Sequence, residues 1–415
     1  MVDPSPSARP QSAPLSGTVG LNASDVTDAP VVRYLNTLLT QAVQQRASDI
    51  HIEPTENGQR VRLRVDGRLV QTQGPPVAAR EALVSRVKIL AKLDISEKRL
   101  PQDGHIKHTL PGLGRAIEFR VSSLPTILGE KLVIRVLDQD TTSLQIETLG
   151  LEDEQLQALQ HALDQPHGMI LATGPTGSGK TVTLYSCLQA LNRPDVNIAT
   201  VEDPSEIHLP GINQVNVNEK AGLTFASSMR AFLRQDPDII MVGEIRDAET
   251  ADIAIKAAQT GHLVLSTLHT NDAPSTLNRL VNMGVPAFNV AASVTLICAQ
   301  RLVRQLCEAC KTPTSIPTHL QALLTRAIPT QAHTTTYQAV GCTQCVNGYR
   351  GRLGIFQVMP ITERMGQAMV EGAPASTLAL IAREEGVTSL RQSALRKAFA
   401  GLTSLEEVLL HTRQE

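Results

Sequence analysis

The stretch GMILATGPTGSGKTVTLYSCLQAL, residues 168–191, constrains this chain more than any other. An apolar run of strand length leads into Gly174, Pro175, Thr176, Gly177, Ser178, Gly179, Lys180 and Thr181, which carry the spacing G-x-x-x-x-G-K-T, and a helical run follows. Glycines at those positions let backbone N–H groups wrap phosphate oxygens, and the following helix turns the positive end of its dipole to the same anion. The lysine of such a loop reaches the β and γ phosphates and the hydroxyl after it ligates Mg²⁺. The expected ligand is therefore ATP with Mg²⁺, at Lys180 and Thr181.

A loop of this kind needs a parallel sheet behind it. From about residue 145 to 305, apolar strand-like runs alternate with helical patterns, the signature of βα units. In such sheets ligands gather outside the carboxyl ends of the strands. Three further runs end in candidate groups: NIATV leads to Glu202 and Asp203, DIIMV to Gly243 and Glu244, and HLVLST to His269, with His262 at its other end. A P-loop ATPase usually places an aspartate for magnesium where this chain has Gly243. Each residue also has a plainer reading: Glu202 could cap a helix, Glu244 could pair with Arg246, and His269 could be a satisfied loop histidine.

At 415 residues the chain has room for two or three domains. Residues 1–25, rich in Pro, Ser, Ala and Gly, read as a disordered tail. Residues 26–140 read as a small α+β domain, with SDIHIEP a strand, RVRLRVDGRLV a hairpin turning at Asp66-Gly67, a helix in PVAAREALVSRVKILAKLD, and strands in AIEFRVSSL and EKLVIRVLD. Residues 145–305 are the P-loop domain, 306–352 a cysteine-bearing arm and 353–415 a helical C-terminal subdomain. Neither a signal peptide nor a long apolar span is present, which predicts a cytosolic protein.

Composition argues against a reader of nucleic acid. Net charge is −2, Trp is absent, and four Tyr and six Phe leave few stacking platforms for single strands. Of six cysteines, Cys187 and Cys298 sit among apolar neighbours and read as core. The other four form two C-x-x-C pairs, Cys307/Cys310 and Cys342/Cys345, separated by 31 residues. Four thiolates in that pattern predict a tetrahedral Zn²⁺ that staples a long loop and leaves no open position for substrate.

With GPTGSGKT, the acidic box VEDPSEIHLPGINQVNVN, the run LRQDPDIIMVGEIRD and the histidine box TGHLVLSTLHTNDA quoted together, the sequence resembles the hexameric motor ATPases of type IV pilus assembly and type II secretion, from Ser48 onward. The resemblance implies a RecA-like P-loop fold with a smaller N-terminal α+β domain. It implies that Glu244 polarises the attacking water, that Glu202 and Asp203 help hold metal and water, and that the histidine-box residues His262 and His269 belong to the catalytic set. Arg120 and Arg135, on strands of the small domain, would reach the nucleotide, and Arg230, Arg234 and Arg246 would act at interfaces or sense phosphate. It also supports zinc in the tetracysteine arm, which assembly-type motors often carry and retraction motors lack.

The run NDAPSTLNRLVNMGVPAFNV looks closer to the pilus branch than to the secretion branch. Family members often open with a further domain that docks on an inner-membrane partner; here only the polar tail precedes the small domain. The expected assembly is a homo-hexamer, peripheral to the inner membrane through a platform protein, with ATP held between the small and P-loop domains and their rotation driving the platform. A RecA-like nucleic-acid motor is the alternative, suggested by the P-loop sheet and the arginine-rich hairpin 60–68.

Overall fold

A computed structural model describes residues 30–110, 114–137, 144–318, 320, 321, 324 and 335–413. The chain divides into two compact units, one ending at Leu137 and one beginning at Asp138.

In the first unit, helix α1 (Pro30–Gln44) carries Val32, Leu35, Leu39, Ala42 and Val43 on one buried stripe, the spacing of a helix laid on a core. A sheet of six strands receives it, in the order β3-β2-β1-β6-β5-β4: β1 (Ala47–Thr55), β2 (Gly58–Val65), β3 (Arg68–Thr72), β4 (Gln102–Thr109), β5 (Ala116–Thr126) and β6 (Gly129–Leu137). Helix α2 (Arg80–Leu90) lies between β3 and β4 in the chain. Asp66 and Gly67, with φ of 48° and 84°, make the turn between β2 and β3, because a two-residue hairpin needs both central residues in the left-handed region. Ile50, Ile52, Val61 and Leu63 are buried beneath this hairpin.

The arginines of the hairpin do not form an open basic strip. Glu53 on β1 takes Arg60, Arg62 and Lys131 at 3.1, 2.8 and 3.2 Å. Burial would raise the Glu53 carboxyl, but hydrogen bonds and charges from Arg62 and Lys131 outweigh it and hold the group at about 2.

The second unit is built on seven strands in the order β15-β12-β7-β11-β10-β8-β9. They are β7 (Gly168–Thr173), β8 (Ile198–Glu202), β9 (Asn213–Asn216), β10 (Ile239–Val242), β11 (Leu263–Leu268), β12 (Val294–Leu306) and β15 (Tyr349–Pro360), while β13 (Thr312–Ser315) and β14 (Thr335–Gln338) pair separately. Only the β12–β15 contact is antiparallel within the seven; the rest are parallel. Every residue of β7, β8, β10 and β11 is buried, as expected of strands covered on both faces.

Helices of this unit among the described residues are α3 (Asp153–Leu163), α4 (Lys180–Leu191), α5 (Phe225–Phe232), α6 (Ala248–Gln259), α7 (Ala273–Asn282), α8 (Ala287–Ser293), α9 (Glu363–Val370), α10 (Ala375–Glu384), α11 (Leu390–Phe399) and α12 (Leu405–His411). Residues beyond 353, read from sequence as a separate subdomain, share a core with the parallel sheet: Met359, Met365, Met369, Leu378 and Ile381 pack in one cluster with Met169, Val242 and Val264. The cysteine arm leaves the sheet at the end of β12 and returns at the start of β15, where Leu306 and Tyr349 are register partners. Cys187 and Cys298 lie in the other core layer, and burial pushes the Cys187 thiol up to about 12 and the Cys298 thiol higher still.

A nucleotide cleft at the strand ends

The P-loop follows β7 and opens α4. Gly174 has φ of 150°, and a Cβ there would lie 2.5 Å from the Gln300 carbonyl oxygen and 2.6 Å from Ser178 Oγ. Only glycine fits that approach. Gln300, on neighbouring β12, donates its side-chain amide to the Ser178 carbonyl at 2.7 Å and so holds the loop from behind. Lys180 donates to the carbonyls of Gly174 at 2.9 Å and Pro175 at 3.2 Å. Those acceptors are neutral, so the ammonium keeps its charge for an anion. Burial lowers the Lys180 pKa, the Glu244 charge opposes that shift, and Arg301 adds to it.

Around the loop lies a cleft of about 350 Å³ lined by residues 176–182, Leu184, Tyr185, Glu202, Asp203, Gly243, Glu244, Thr267 and His269 among others. Four neighbouring strands, β7, β8, β10 and β11, thus bring their terminal residues to one place. At the end of β8, Glu202 is 4% exposed. Its Oε1 accepts from Thr200 at 2.7 Å and Gln214 at 3.3 Å, and its Oε2 accepts from the Tyr185 hydroxyl. Burial, followed by the Glu202 charge, pushes the Tyr185 phenol far above its ordinary value, so it stays a donor. Both oxygens of Glu202 are therefore engaged, and the residue reads as an anchor for the cleft floor.

Glu244 follows β10 and is half-buried. Its Oε1 accepts from Arg246, and its Oε2 lies 3.4 Å from His269 Nε2. The Arg246 hydrogen bond holds the Glu244 carboxyl below the usual range; partial burial opposes this, and the Arg246 and His269 charges reinforce it. Arg246 also reaches Asp203 at 3.6 Å. The acidic residues beyond Glu244 are otherwise employed, for Asp247 and Asp272 cap α6 and α7 by accepting from Thr250 and Ser275.

Gly243 has a steric reason. A Cβ there would stand 3.3 Å from both Glu202 Cα and the Val201 carbonyl oxygen, backbone atoms of β8. A side chain at this position would press on the β8 backbone more tightly than most Cβ contacts, and the chain carries its acidic group one residue on, at Glu244.

Not every residue named from sequence gathers here. His262 lies at the opposite end of β11, its Nδ1 3.0 Å from the Ala257 carbonyl, about six residues or roughly 20 Å from the loop end of that strand. Arg230 pairs with Glu249, and Arg234 donates to the Arg230 carbonyl at 2.8 Å, both outside the cleft lining. In the first unit Arg120 and Arg135 are direct register partners on β5 and β6, so the two guanidiniums leave the same face of the sheet side by side. Arg135 pairs with Asp49 at 3.1 Å, while Glu118 pairs with Lys107 rather than Arg120.

Sequence reasoning missed Tyr185, Gln214, Gln300, Leu302 and Arg352. Gln300 carried a signal, being a polar residue in the apolar run LICAQRLV. Arg352 carried none: it stands on β15 beyond the cysteine arm and reaches the cleft lining only because β15 pairs with β12.

The four cysteines converge. Their sulfurs all lie within 4.8 Å of one another, with Cys307–Cys342 at 3.9 Å, Cys310–Cys345 at 3.7 Å and Cys342–Cys345 at 3.6 Å. Thiolates bound tetrahedrally at about 2.3 Å from zinc stand about 3.8 Å apart, so this donor set fits Zn²⁺.

The model of the type II/IV secretion system protein family matches residues 24–410. The type IV pilus assembly ATPase PilB of Acinetobacter baylyi is 53% identical over 383 residues, covering 92% of this chain and 66% of that protein. PilB of Pseudomonas aeruginosa is 52% identical over 388 residues, 93% of this chain and 68% of that protein. Type II secretion system protein E of Pectobacterium carotovorum is 47% identical over 396 residues, 95% of this chain and 78% of that one. The chain spans about two thirds of the length of these PilB relatives. Among solved structures, the ATPase DotB of Legionella pneumophila (TM-score 0.67, 21% identity, 91% of this chain and 95% of that one) and the pilus retraction motor PilT with bound ADP (0.60, 24%, 91% and 96%) share the fold. The chain therefore belongs to the type II/IV secretion system protein family.

Proposed function

We propose that this chain hydrolyses ATP in the cleft around Lys180 and, as a ring of six copies, drives a membrane platform protein that assembles a type IV pilus. The observation that carries the reading is the meeting of Glu244 with the P-loop in one cleft: a carboxylate held ionised, in the same cleft as a lysine whose hydrogen bonds go to neutral carbonyls. The higher identity to the pilus-assembly ATPases than to the type II secretion protein supports the pilus branch.

Lys180 and the loop amides take the phosphates, and Glu244 orients and polarises the attacking water. Thr181 would hold Mg²⁺, which neutralises charge on the β and γ phosphates. Arg246 and His269 keep Glu244 ionised and aimed. Arg120 and Arg135 supply cations to the transferred phosphoryl group, from whichever copy of the chain provides them, while Arg230 and Arg234 serve contacts between copies. His262 supports β11 from its far end. No helix among the described residues is long and apolar enough to cross a membrane, so attachment to the inner membrane would run through partners.

Mass measurement of the protein with Mg²⁺ and a non-hydrolysable ATP analogue tests ring and stoichiometry together. Six chains are expected; a monomer at saturating analogue would count against the motor reading.

Zn²⁺ would be held by Cys307, Cys310, Cys342 and Cys345 as a structural ion. Purified protein is expected to contain one zinc per chain, and Cys307→Ser to lose it and unfold at lower temperature. Elemental analysis finding none in the unaltered chain would contradict this.

A further inference from the structure

A second cleft, of about 740 Å³, opens on another side of the P-loop unit, between the loop before α7 and the helices α10, α11 and the chain after α12. Its volume falls within the roughly 300–1,000 Å³ of small-ligand sites. Four arginines line it, Arg301, Arg383, Arg391 and Arg413, against the single carboxylate of Asp272. That carboxylate already caps α7, accepting from the Ser275 N–H at 2.9 Å. No salt bridge joins any of the four guanidiniums to a carboxylate among the described residues. His411, also at the wall, lies 3.5 Å from Glu407.

Arg391 is the telling member. It is 7% exposed, yet no hydrogen bond or ion pair engages its side chain among the described residues, and none of its nitrogens is sealed off from the cleft. A buried guanidinium is normally paired, because taking a charge from water costs several kcal/mol. Arg391 has no such partner among the described residues, and it lines the cleft. The rest of the wall mixes polar side chains with an apolar part in which Leu380 and Leu410 are left 55% and 58% exposed.

The cleft also touches the nucleotide machinery. Arg301 donates to the carbonyls of Asn271 at 2.8 Å and Gln300 at 3.0 Å. A Cβ on Gly174 would stand 3.2 Å from Arg301 Nη1, so this guanidinium lies against the first turn of the P-loop.

We propose that this cleft is a second ligand site, taking a small phosphate ester with an apolar or aromatic body, and that occupancy is felt at the P-loop through Arg301. The phosphate draws on Arg391, Arg383 and Arg413, and the apolar body covers Leu380 and Leu410. Arg301 then divides its donors between the ligand and the carbonyls behind the loop.

The test uses the full chain carrying Lys180→Ala, so that phosphate binding at the P-loop is removed and this site stands or falls apart from the ATPase reading. Calorimetric titration with phenyl phosphate is expected to show one saturable site per chain, at least tenfold tighter than inorganic phosphate. Adding Arg383→Gln and Arg413→Gln, both at exposed positions, should weaken it at least tenfold. Absent binding, or binding unmoved by those substitutions, would overturn the site, and equal affinity for the two probes would overturn the ligand class. With Lys180 intact, phenyl phosphate should change the affinity for a fluorescent ADP analogue at least threefold, an effect absent from Arg383→Gln/Arg413→Gln; no difference between the two proteins would overturn the coupling.

Discussion

Glu244→Gln is expected to lower ATP turnover by about 10²–10⁴, the usual contribution of a positioned base, while leaving ATP affinity within a few-fold of the unaltered chain. Glutamine fills the same space and can keep a contact to Arg246, so the cleft should hold its shape. What it cannot do is accept a proton or polarise water as an anion does. Single-turnover hydrolysis alongside nucleotide binding separates the two effects, and undiminished turnover would remove Glu244 from the chemistry.

Arg246 supplies the complementary test. Its hydrogen bond is the largest influence holding the Glu244 carboxyl low. Hydrolysis needs that carboxyl ionised, and removing Arg246 raises its pKa. In Arg246→Ala the acid limb of kcat/KM should therefore move to higher pH, with activity lost earlier on acidification. A profile that keeps its acid limb would show that Arg246 does not govern Glu244.

The double substitution Arg120→Ala/Arg135→Ala is expected to cost about 10³–10⁵ in kcat, the range measured when an arginine is withdrawn from phosphoryl transfer. Folding should survive, because Asp49, which loses Arg135, retains Arg64 at 3.6 Å and a hydrogen bond from Ser48 at 2.9 Å. Circular dichroism and thermal unfolding would establish that, so that a fall in turnover can be assigned to the missing cations. Turnover within a few-fold of the unaltered chain would leave the pair a structural feature of its sheet.

Much of the second unit was readable because its strands are short, mostly apolar runs that lead directly into a glycine loop or into polar groups. GMILAT, IATVE, IIMV and LVLSTL have no periodicity to misread, and the residue after each one points to the site through topology alone. The hairpin at Asp66-Gly67 was equally plain, since both residues tolerate positive φ. Strand β4, QDGHIKHT, left no such mark: only Gly104 and Ile106 are buried, and the segment is a strand because it pairs with β5 along its length. Helix α1 had the signal, in the spacing of Val32, Leu35, Leu39, Ala42 and Val43, but within the domain opening at residue 26 the strand at Ser48 is the first element read from the sequence.

The site shows the same division. Residues at strand ends were found, whereas those reaching the cleft from elsewhere were not. Arg352 enters through an antiparallel pairing across a long insertion, and Gln214 and Tyr185 matter by satisfying Glu202 rather than by any motif of their own. His262 illustrates the converse error, for a polar residue flanking a strand at its amino end shares the strand without sharing its site.

A crystal structure of the chain with Mg²⁺ and a non-hydrolysable ATP analogue tests the central claim most directly. The account predicts the triphosphate on the amides of Gly177–Thr181, Lys180 turned from the Gly174 carbonyl to the phosphates, and the Glu244 carboxylate within hydrogen-bonding distance of a water in line with the γ phosphorus. A triphosphate in that loop with Glu244 still closed onto Arg246 and His269, and no water between it and the γ phosphate, would contradict it.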